Sequence, residues 1–461
     1  MTLTRPRPRP VRTAAVALAC AVLVGSGVLA VTAGATGPWR SARSLPGAAT
    51  LFAKGYAELN AISCTAAGDC SVDGYYTDGS GHRQAFLDDE VNGAWRTASE
   101  VPGTAALNVG GEAQAQSLSC AAPGDCAVVG YYTDGSGHKQ AFVADSEHGV
   151  WHPAIQIPGT ATLNVGGDAE GDQVSCPGAD TCTAVGTYSY ASGRSDAFTV
   201  QEAHGAWAPA VAMPGIDALN AGGEAYLYAL ACPGVGACTA VGTSKDGAGA
   251  TQAFAAGEVA GTWLAAQELP GSAALNGGGD AEPYTLSCSS SGNCAAGGEY
   301  KDSVGHYQAF VASETGGTWG AAAALPGVSA LNTGGGAGVD SISCSSPGNC
   351  SLGGQLQTTT AYRGFVDRQV GGAWRTATFA PGLNALDTHG TGSVNAVSCS
   401  SEGNCSAGGF YADKVGFEAF VIDEVHGVWQ RAIEVPGSGA LNPFGDGRLD
   451  VMSCLRSGYC A

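Results

Sequence analysis

Basic residues are scarce in this chain of 461 residues: 20 lysines and arginines stand against 40 aspartates and glutamates, for a net charge of -20. An acidic surface repels the phosphates of nucleic acids and of anionic membranes, so we expect no nucleic-acid partner. Charged residues of both signs make up only 13% of the chain, whereas 44% are hydrophobic and 72 are glycines. This composition favours strands and turns over long helices.

Catalytic signatures are also missing from the sequence. It contains no G-x-S-x-G elbow, no G-x-x-x-x-G-K-[ST] loop, no H-E-x-x-H pair and no EF-hand loop. Cys-x-x-Cys, the usual spacing of redox cysteines, is absent as well. A glycosidase carboxylate pair is defined by its separation in space rather than by a motif, so this one class of enzyme stays open.

The sequence is dominated by a repeat. Its eight tryptophans are spaced by five steps of 56 residues and then two of 55. They are Trp39, Trp95, Trp151, Trp207, Trp263, Trp319, Trp374 and Trp429. A uniform period indicates a single array of repeats, so we assign residues 36–461 to one domain.

Sixteen of the 17 cysteines keep the same period as Cys-x5-Cys pairs. The pairs are Cys64/Cys70, Cys120/Cys126, Cys176/Cys182, Cys232/Cys238, Cys288/Cys294, Cys344/Cys350, Cys399/Cys405 and Cys454/Cys460. Evenly paired cysteines in an exported protein predict disulfides that act as staples of a hairpin. Structural zinc is the weaker alternative, because four ligands would have to converge and no histidine follows the period.

The N-terminal segment predicts export. Four arginines lie between residues 5 and 12, an apolar run extends from Ala14 to Val31, and Ala-Gly-Ala ends at Ala35. This layout is typical of a secretory signal peptide over residues 1–35, and its removal takes four positive charges from -20 and leaves -24. The run is about 18 residues long, so an uncleaved membrane anchor is the alternative. Cys20 within it is a weaker candidate for lipid attachment.

One repeat predicts four short strands. In the copy that begins at Ser117, the first strand ends at Cys120, and the others cover 127–133, 140–145 and 150–157. Turn residues separate them, so the strands form an antiparallel meander. Four-stranded sheets repeated around an axis predict an all-β β-propeller with a disulfide in each first hairpin. A β-solenoid is the rival fold, but 56 residues are long for one coil.

The number of blades depends on the chain ends. Residues 57–437 supply seven complete copies, which leaves a fourth strand at the N-terminus and a first hairpin at the C-terminus. The ring therefore has seven blades, or eight if these two pieces meet as a stunted blade. The recurring third-strand phenylalanines and the fourth-strand tryptophans are expected to pack between blades.

A connector, P-G-x-x-A-L-N-x-G-G-[DE]-A, joins each fourth strand to the next first strand. Its candidate ligand residues are Asn108, Glu112, Asn164, Asp168, Asn220, Glu224, Asn276, Asp280, Asn442 and Asp446. Oxygen ligands that recur around one face suit calcium or the hydroxyls of a sugar. The simpler interpretation is that Asn followed by two glycines is a turn device. The histidines fall in turns and predict no metal site.

The segments from Ser119 to Gly130 and from Ser175 to Gly186, each followed by Gly-x-Trp, resemble secreted actinobacterial repeat proteins. That resemblance implies a propeller and no particular activity. The turn from Ser313 to Trp319 is similar to the Asp-box hairpin of sialidase-type propellers, but its spacing differs and it lacks the Asp. No F-R-I-P motif accompanies it, so no sialidase catalytic residues are assigned.

These features predict a secreted, extracellular, non-catalytic binding or adhesion module that presents loops on a rigid propeller. The expected ligand is an extracellular glycan, a protein or a cation, with calcium as the candidate ion and no cofactor required. A carbohydrate-active hydrolase or lyase that uses carboxylates at the channel mouth is one alternative, and a structural cell-envelope protein is another. Contact with a membrane is expected only if the N-terminal segment is retained.

Overall fold

The computed structural model describes residues 29–30, 39–52, 56–456 and 458–461. The predicted signal peptide lies outside these residues except for Leu29–Ala30, which pairs antiparallel with Arg43–Ser44. No helix in the described ranges is long and apolar enough to cross a membrane.

Seven antiparallel sheets follow one another along the chain, and each is a blade of a β-propeller. Blade 1 contains Ala57–Ala66, Asp69–Thr77, Arg83–Val91, Ala94–Trp95 and Ser99–Glu100; blade 2 contains Ala113–Ala122, Asp125–Thr133, Lys139–Glu147, Val150–Trp151 and Ile155–Gln156. Blade 3 contains Ala169–Gly178, Thr181–Ser189, Ser195–Ala203, Ala206–Trp207 and Val211–Ala212; blade 4 contains Ala225–Gly234, Ala237–Lys245, Thr251–Val259, Thr262–Trp263 and Gln267–Glu268. Blade 5 contains Ala281–Ser290, Asn293–Lys301, Tyr307–Thr315, Thr318–Trp319 and Ala323–Ala324. Blade 6 contains Ala337–Ser346, Asn349–Gln357, Tyr362–Val370, Ala373–Trp374 and Thr378–Phe379, and blade 7 contains Ser393–Ser401, Asn404–Ala412, Phe417–Val425, Val428–Trp429 and Ile433–Glu434.

The predicted four-stranded propeller is confirmed, with two differences inside each repeat. The fourth strand is broken into two short pieces, as at His152–Ala154 in blade 2, where a single strand over 150–157 was expected. Each connector also contains one helical turn that the sequence reading missed. These turns are Ala48–Leu51, Thr104–Leu107, Thr160–Leu163, Ile216–Leu219, Ser272–Leu275, Val328–Leu331, Leu383–Leu386 and Ser438–Leu441.

The first strands line the centre of the ring, because those of consecutive blades from blade 1 to blade 7 lie side by side. Every first strand carries a β-bulge, such as the one at Gln116 between Ala115 and Ser117. The second strand has a glycine opposite each bulge. A Cβ on Gly130 would come within 2.0 Å of the Gln114 carbonyl oxygen, so only glycine fits there. This contact explains the glycine at the end of the recurring Cys-x-Ala-Val-Gly sequence.

The periodic aromatic residues pack between the blades as expected. The third-strand phenylalanines, from Phe86 to Phe420, are at most 1% exposed and lie between neighbouring sheets. Tryptophan packs there as well, and Trp151 and Trp207 each donate an indole hydrogen bond to an aspartate of the preceding blade. The two aromatic positions thus tie each blade to the next.

All eight predicted disulfides are formed, each across the first hairpin of its repeat. The expectation that they staple the hairpins is confirmed, and in addition the second cysteine of each pair belongs to the core. The second cysteine of every pair is buried, with between 2% and 6% of its surface exposed. These buried cysteines are Cys70, Cys126, Cys182, Cys238, Cys294, Cys350, Cys405 and Cys460.

The burial of the second cysteine follows from its place in the sheet. It lies near the start of the second strand, which is covered on both faces by neighbouring blades, as the strand Asp125–Thr133 is. Cys238, Cys350 and Cys405 accordingly pack in clusters with buried alanine, leucine and phenylalanine side chains. The first cysteine lies on the innermost strand and is only partly buried, except for Cys176 at 8% exposure. Each disulfide therefore joins the innermost strand of its repeat to the packed core.

An inner belt of hydrogen bonds links the first strands. The serine that precedes the first cysteine of one repeat accepts the backbone N–H of the first cysteine of the next repeat. Cys176 N–H, for example, donates to Ser119 Oγ over 3.0 Å. The series has seven such bonds among the described residues, from Ser63 to Cys120 and round to Ser453 and Cys64. The hydrogen bond to the N–H of Cys288 is missing from this series, because Ala231 stands where the other repeats have the serine.

An outer belt uses backbone groups alone. The alanine in the break of each fourth strand donates its N–H to the carbonyl oxygen of the connector proline before it, as Ala154 does to Pro102 over 2.7 Å. All eight repeats make this bond, at distances between 2.6 and 2.9 Å. The glycine after the proline is required: Gly103 has φ of 83°, and a Cβ on it would lie 2.9 Å from Ala154 N.

Both belts close through the terminal segments, which meet between blade 7 and blade 1. These segments are residues 39–44, 448–456 and 458–461. Ala42 N–H donates to Pro436 O over 2.7 Å, and Cys454 N–H donates to Ser398 Oγ over 2.8 Å. Trp39 packs with Val421 of blade 7 and with Cys460 in one buried cluster. The ring thus has seven complete blades, and the two terminal pieces occupy an eighth position together.

Burial changes the protonation of two carboxyl groups on third strands. Asp88 is 1% exposed and Asp367 is 4% exposed. Burial is the main cause that raises the pKa of each to about 7. One oxygen of Asp88 accepts the N–H of Asp89 over 2.8 Å, and the other has no partner in the described structure. Blades 2, 4 and 5 place Ala144, Ala256 and Ala312 at the position of Asp88.

The inner belt predicts that Ala231→Ser stabilises the protein. The new hydroxyl can accept the N–H of Cys288, which should raise the free energy of unfolding by about 1 kcal/mol. Ser119→Ala, which removes an existing bond of the same series, should lower it by about the same amount. Urea unfolding of both variants measures the two changes, and an unchanged Ser119→Ala would contradict the role of the belt.

The raised pKa of Asp88 predicts a stability that falls as the pH rises. The folded protein binds the proton more tightly than the unfolded chain, so the stability that this carboxyl contributes is complete below pH 3.8 and is lost through about pH 7. Asp88→Ala should flatten this decline and add about 1 to 3 kcal/mol above pH 7, where the wild type buries a charge. Thermal unfolding between pH 4 and 8 checks this. If the stability of both proteins fell equally with rising pH, Asp88 would not be the group responsible.

Candidate binding face

The two faces of the ring differ in composition. One face carries the first hairpins with their disulfides and the turns between third and fourth strands, which bond to each other, as Gly149 N–H does to Gly124 O. We call it the hairpin face. The other face carries the connectors and the turns between second and third strands, and we call it the connector face. All ten candidate ligand residues lie on the connector face.

The connector asparagines are buried and serve the fold. They are at most 8% exposed, and Asn220 is fully buried. Each donates its amide to the carbonyl oxygen of the residue that begins the third strand of the preceding blade, as Asn220 does to Ser195 over 2.8 Å. Asn108, Asn164, Asn276 and Asn442 make the same bond. These amides fix the connector against the blade before it.

The connector acids, by contrast, reach the surface. The side chains of Glu112, Asp168, Glu224 and Asp446 are between 37% and 59% exposed. Each lies within 4.0 Å of a basic group, such as Arg83 for Glu112 and Lys245 for Glu224. Asp280 differs, because one of its oxygens accepts the Tyr307 hydroxyl over 2.8 Å and the other has no partner among the described residues.

The acids are arranged as a rim and do not converge on one point. Isolated bridges place Glu112, Asp168, Asp280 and Asp446 beside the third strands of four different blades. Among the described residues, no group of three or more His, Cys, Asp or Glu side chains could hold a metal ion. The rim therefore combines carboxylates with basic groups and hydroxyls, which suits a polar organic ligand.

Sequence reasoning missed the residues at the seven bulges. They are Asn60, Gln116, Asp172, Tyr228, Tyr284, Asp340 and Asn395. A bulge turns its side chain out of the strand alternation, and these bulges lie on the innermost strands. Neighbouring members touch across blades, since the rings of Tyr228 and Tyr284 have centroids 5.8 Å apart. In the sequence, each of them is the polar residue or tyrosine four positions before the first cysteine of its repeat.

The bulge residues and nearby acids form a polar ring at the channel mouth. Glu170 of blade 3 accepts Lys139 Nζ over 2.6 Å and Gln116 Nε2 over 2.7 Å. Burial, followed by the charge of Glu170, raises the pKa of the Asp172 carboxyl. Hydrogen bonds therefore connect first strands of neighbouring blades at this mouth, and several ionisable groups are held close together there.

One carboxylate pair at the mouth bears on the hydrolase alternative. The hydroxyl of Tyr284 lies 2.6 Å from Glu282 Oε2 and 2.7 Å from Glu299 Oε1. One tyrosine hydroxyl thus contacts both carboxyls, so the two groups lie near each other, as the paired carboxyls of a glycosidase do. A glycosidic oxygen could reach both carboxyls only after this hydroxyl had moved.

The histidines lie where the sequence placed them. His148, His204 and His426 occupy turns of the hairpin face with φ between 48° and 55°. His82, His138 and His306 end turns of the connector face, where the side chain of an aspartate accepts their backbone N–H, as Asp78 does for His82 over 2.9 Å. The rings of these three pack against connector glycines.

The division of roles within the connector predicts effects of different size for two nearby substitutions. Asn220→Ala should lower the free energy of unfolding by about 1 to 3 kcal/mol, because it leaves the buried Ser195 carbonyl without its donor. Glu224→Ala should change it by less than about 0.5 kcal/mol, because the side chain and its Lys245 partner are partly exposed. Chemical denaturation of both variants checks this, and equal losses would contradict the division.

No protein-family model matches the chain, and no curated protein matches it. Several solved structures do. An acylaminoacyl peptidase of Pyrococcus horikoshii has a TM-score of 0.43 at 8% identity, over 84% of this chain and 53% of that one, so the chain spans about half of its length. A subtype N11 neuraminidase-like protein of a flat-faced-bat virus has a TM-score of 0.38 at 13% identity, over 77% and 97%. A fucose-specific lectin from Aleuria aurantia has a TM-score of 0.34 at 13% identity, over 83% and 96%. The chain is similar to these proteins in fold and in nothing further.

Proposed function

We propose that the chain is a secreted, non-catalytic binding module that holds an extracellular glycan on its connector face. The observation that carries the proposal is the rim of connector acids. Four of its five acids, Glu112, Asp168, Glu224 and Asp446, are between 37% and 59% exposed, while the asparagines of the same connectors are buried. The fold therefore depends less on these acids than on the asparagines.

The chemistry of the rim suits a sugar. Carboxylates, amides and tyrosine hydroxyls around one opening can bind several hydroxyl groups in fixed directions, and the rings supply apolar surface for the sugar C–H groups. We prefer a glycan to calcium because the acids are spread around the rim beside basic groups. A protein ligand is a weaker candidate, because the exposed apolar side chains of the described connectors are scattered singly, as Val109 and Val165 are.

Export supports an extracellular ligand. The eight disulfides indicate an extracellular or otherwise oxidising environment. We propose that residues 1–35 are the signal peptide and that the mature chain belongs with the secreted actinobacterial repeat proteins that it resembles. The site is asymmetric, because Gly336 and Thr391 replace the connector acid before blades 6 and 7.

A glycan panel tests the proposal. The mature chain should bind at least one polysaccharide without degrading it, and Asp168→Ala and Glu224→Ala should each weaken binding by about tenfold. Glu402→Ala, an exposed acid on the hairpin face, is the matched control and should bind as the wild type does. Affinity electrophoresis gives the binding, and reducing-sugar release gives the turnover.

Two results would count against this function. Binding that survives both connector substitutions would place the site elsewhere on the molecule. Release of sugar that depends on Asp168 or Glu224 would favour the hydrolase alternative.

A further inference from the structure

The channel mouth differs at blades 4 and 5 from the rest of the ring. Tyr228 and Tyr284 take the two bulge positions there, in an edge-to-face contact with an interplanar angle of 73°. The other five bulges carry asparagine, glutamine or aspartate. Burial, followed by the charge of Glu282, raises the pKa of Tyr228, so its ring stays a neutral phenol. Aromatic surface is therefore concentrated at one part of the mouth.

Between blades 2 and 3, the equivalent part of the mouth holds a lysine ammonium group. Lys139 begins the third strand of blade 2, and its ammonium lies 2.6 Å from Glu170 and 4.0 Å from the connector acid Asp168. It also lies 4.5 Å from the centroid of the Tyr131 ring. Two carboxylates and one aromatic ring thus surround a primary ammonium group.

The two carboxylates of this site recur two repeats later, but Thr243 stands there in place of Tyr131. Asp280 and Glu282 stand where Asp168 and Glu170 stand, 112 residues on, but Thr251 stands where Lys139 does. The backbone is equivalent, because Thr251 bridges Asp280 as Lys139 bridges Asp168. Asp280 Oδ1 is buried and has no hydrogen-bond partner among the described residues. Blade 5 keeps the carboxylates of this site, and the sequence puts a short neutral side chain in place of the lysine.

We infer that Asp280, Glu282 and the tyrosines Tyr228 and Tyr284 form a subsite for a protonated amine carried by a sugar, such as a glucosamine unit. The ammonium group takes the position that Lys139 Nζ holds between Asp168 and Glu170. The tyrosine rings lie against the apolar face of the sugar, and the pair of Glu282 and Glu299 adds negative charge beside it. This inference rests on the proposed glycan-binding function and assigns a ligand class to it.

Calorimetry with matched oligomers tests the subsite on the mature chain. A glucosamine tetramer below the pKa of its amines should bind at least about tenfold more tightly than the N-acetylglucosamine tetramer, which has the same backbone without the charge. Thr251→Lys places an ammonium group of the protein itself in the subsite. It should therefore weaken binding of the glucosamine tetramer by about tenfold or more. Thr318→Lys adds the same charge on the exposed hairpin face and should bind as the wild type does. Glu282→Gln should weaken binding similarly and keep the thermal stability of the fold.

The outcomes separate this inference from the proposed function. Equal affinity for the two tetramers, or a Thr251→Lys variant that binds glucosamine as the wild type does, overturns the subsite. If another glycan of the panel still binds and is lost in Asp168→Ala, the glycan-binding function stands without it. Tetralysine that binds as tightly as the glucosamine tetramer, and with the same loss in Thr251→Lys, overturns the assignment to a sugar.

Discussion

The hydrogen bond from an outer-strand alanine to the connector proline of the preceding repeat is the contact on which the ring depends. It uses two backbone groups, so no substitution of a side chain can delete the donor or the acceptor unless the alanine becomes proline. The eight bonds include Ala42 to Pro436, which joins the two ends of the chain by the same contact that joins neighbouring blades. The break in each fourth strand exists for this bond, because it frees the alanine N–H from the sheet.

The inner belt, by contrast, uses a serine side chain as acceptor, so a single substitution can remove one of its hydrogen bonds. Ser119 and its equivalents accept a cysteine N–H of the next repeat, and one step is missing where Ala231 stands. The ring tolerates this loss because the outer belt and the buried phenylalanines cross the same interface. Redundant ties of this kind allow side chains at the channel mouth to vary. This variation includes Thr251 where blade 2 has Lys139, and Tyr228 and Tyr284 where the other blades have asparagine, glutamine or aspartate.

Much of the fold could be predicted from the sequence, because periodic cysteine, tryptophan and phenylalanine report directly on strand order and on packing. The disulfides, the antiparallel meander and the seven complete blades all follow from them. The break at Pro153 and the helical turn Thr104–Leu107 were missed, because both depend on backbone hydrogen bonds between repeats. In the sequence, the Pro-Gly of the connector is the only sign of these bonds. The joining of the two ends is a matter of three-dimensional position, which a period of 56 does not contain.

The candidate site was predictable in part. The connector sequence placed its candidate residues on one face, but it grouped Asn220 and Glu224 together as ligands, and only the burial of the amide separates them. The bulge residues went unrecognised because a bulge shifts the alternation by one and makes an inward polar residue look like an ordinary strand position. Comparison of the repeats with one another, at the position four residues before the first cysteine, could have found them.

We propose that the connector face and one part of the channel mouth bind a ligand, while the hairpin face only stabilises the fold. Hydrogen–deuterium exchange of the mature chain, with and without a saturating glucosamine tetramer, tests this most directly. The account predicts slower exchange in segments 224–228 and 280–284 and no change in the disulfide hairpins. Protection confined to the hairpin turns, or spread equally over all seven blades, would contradict it.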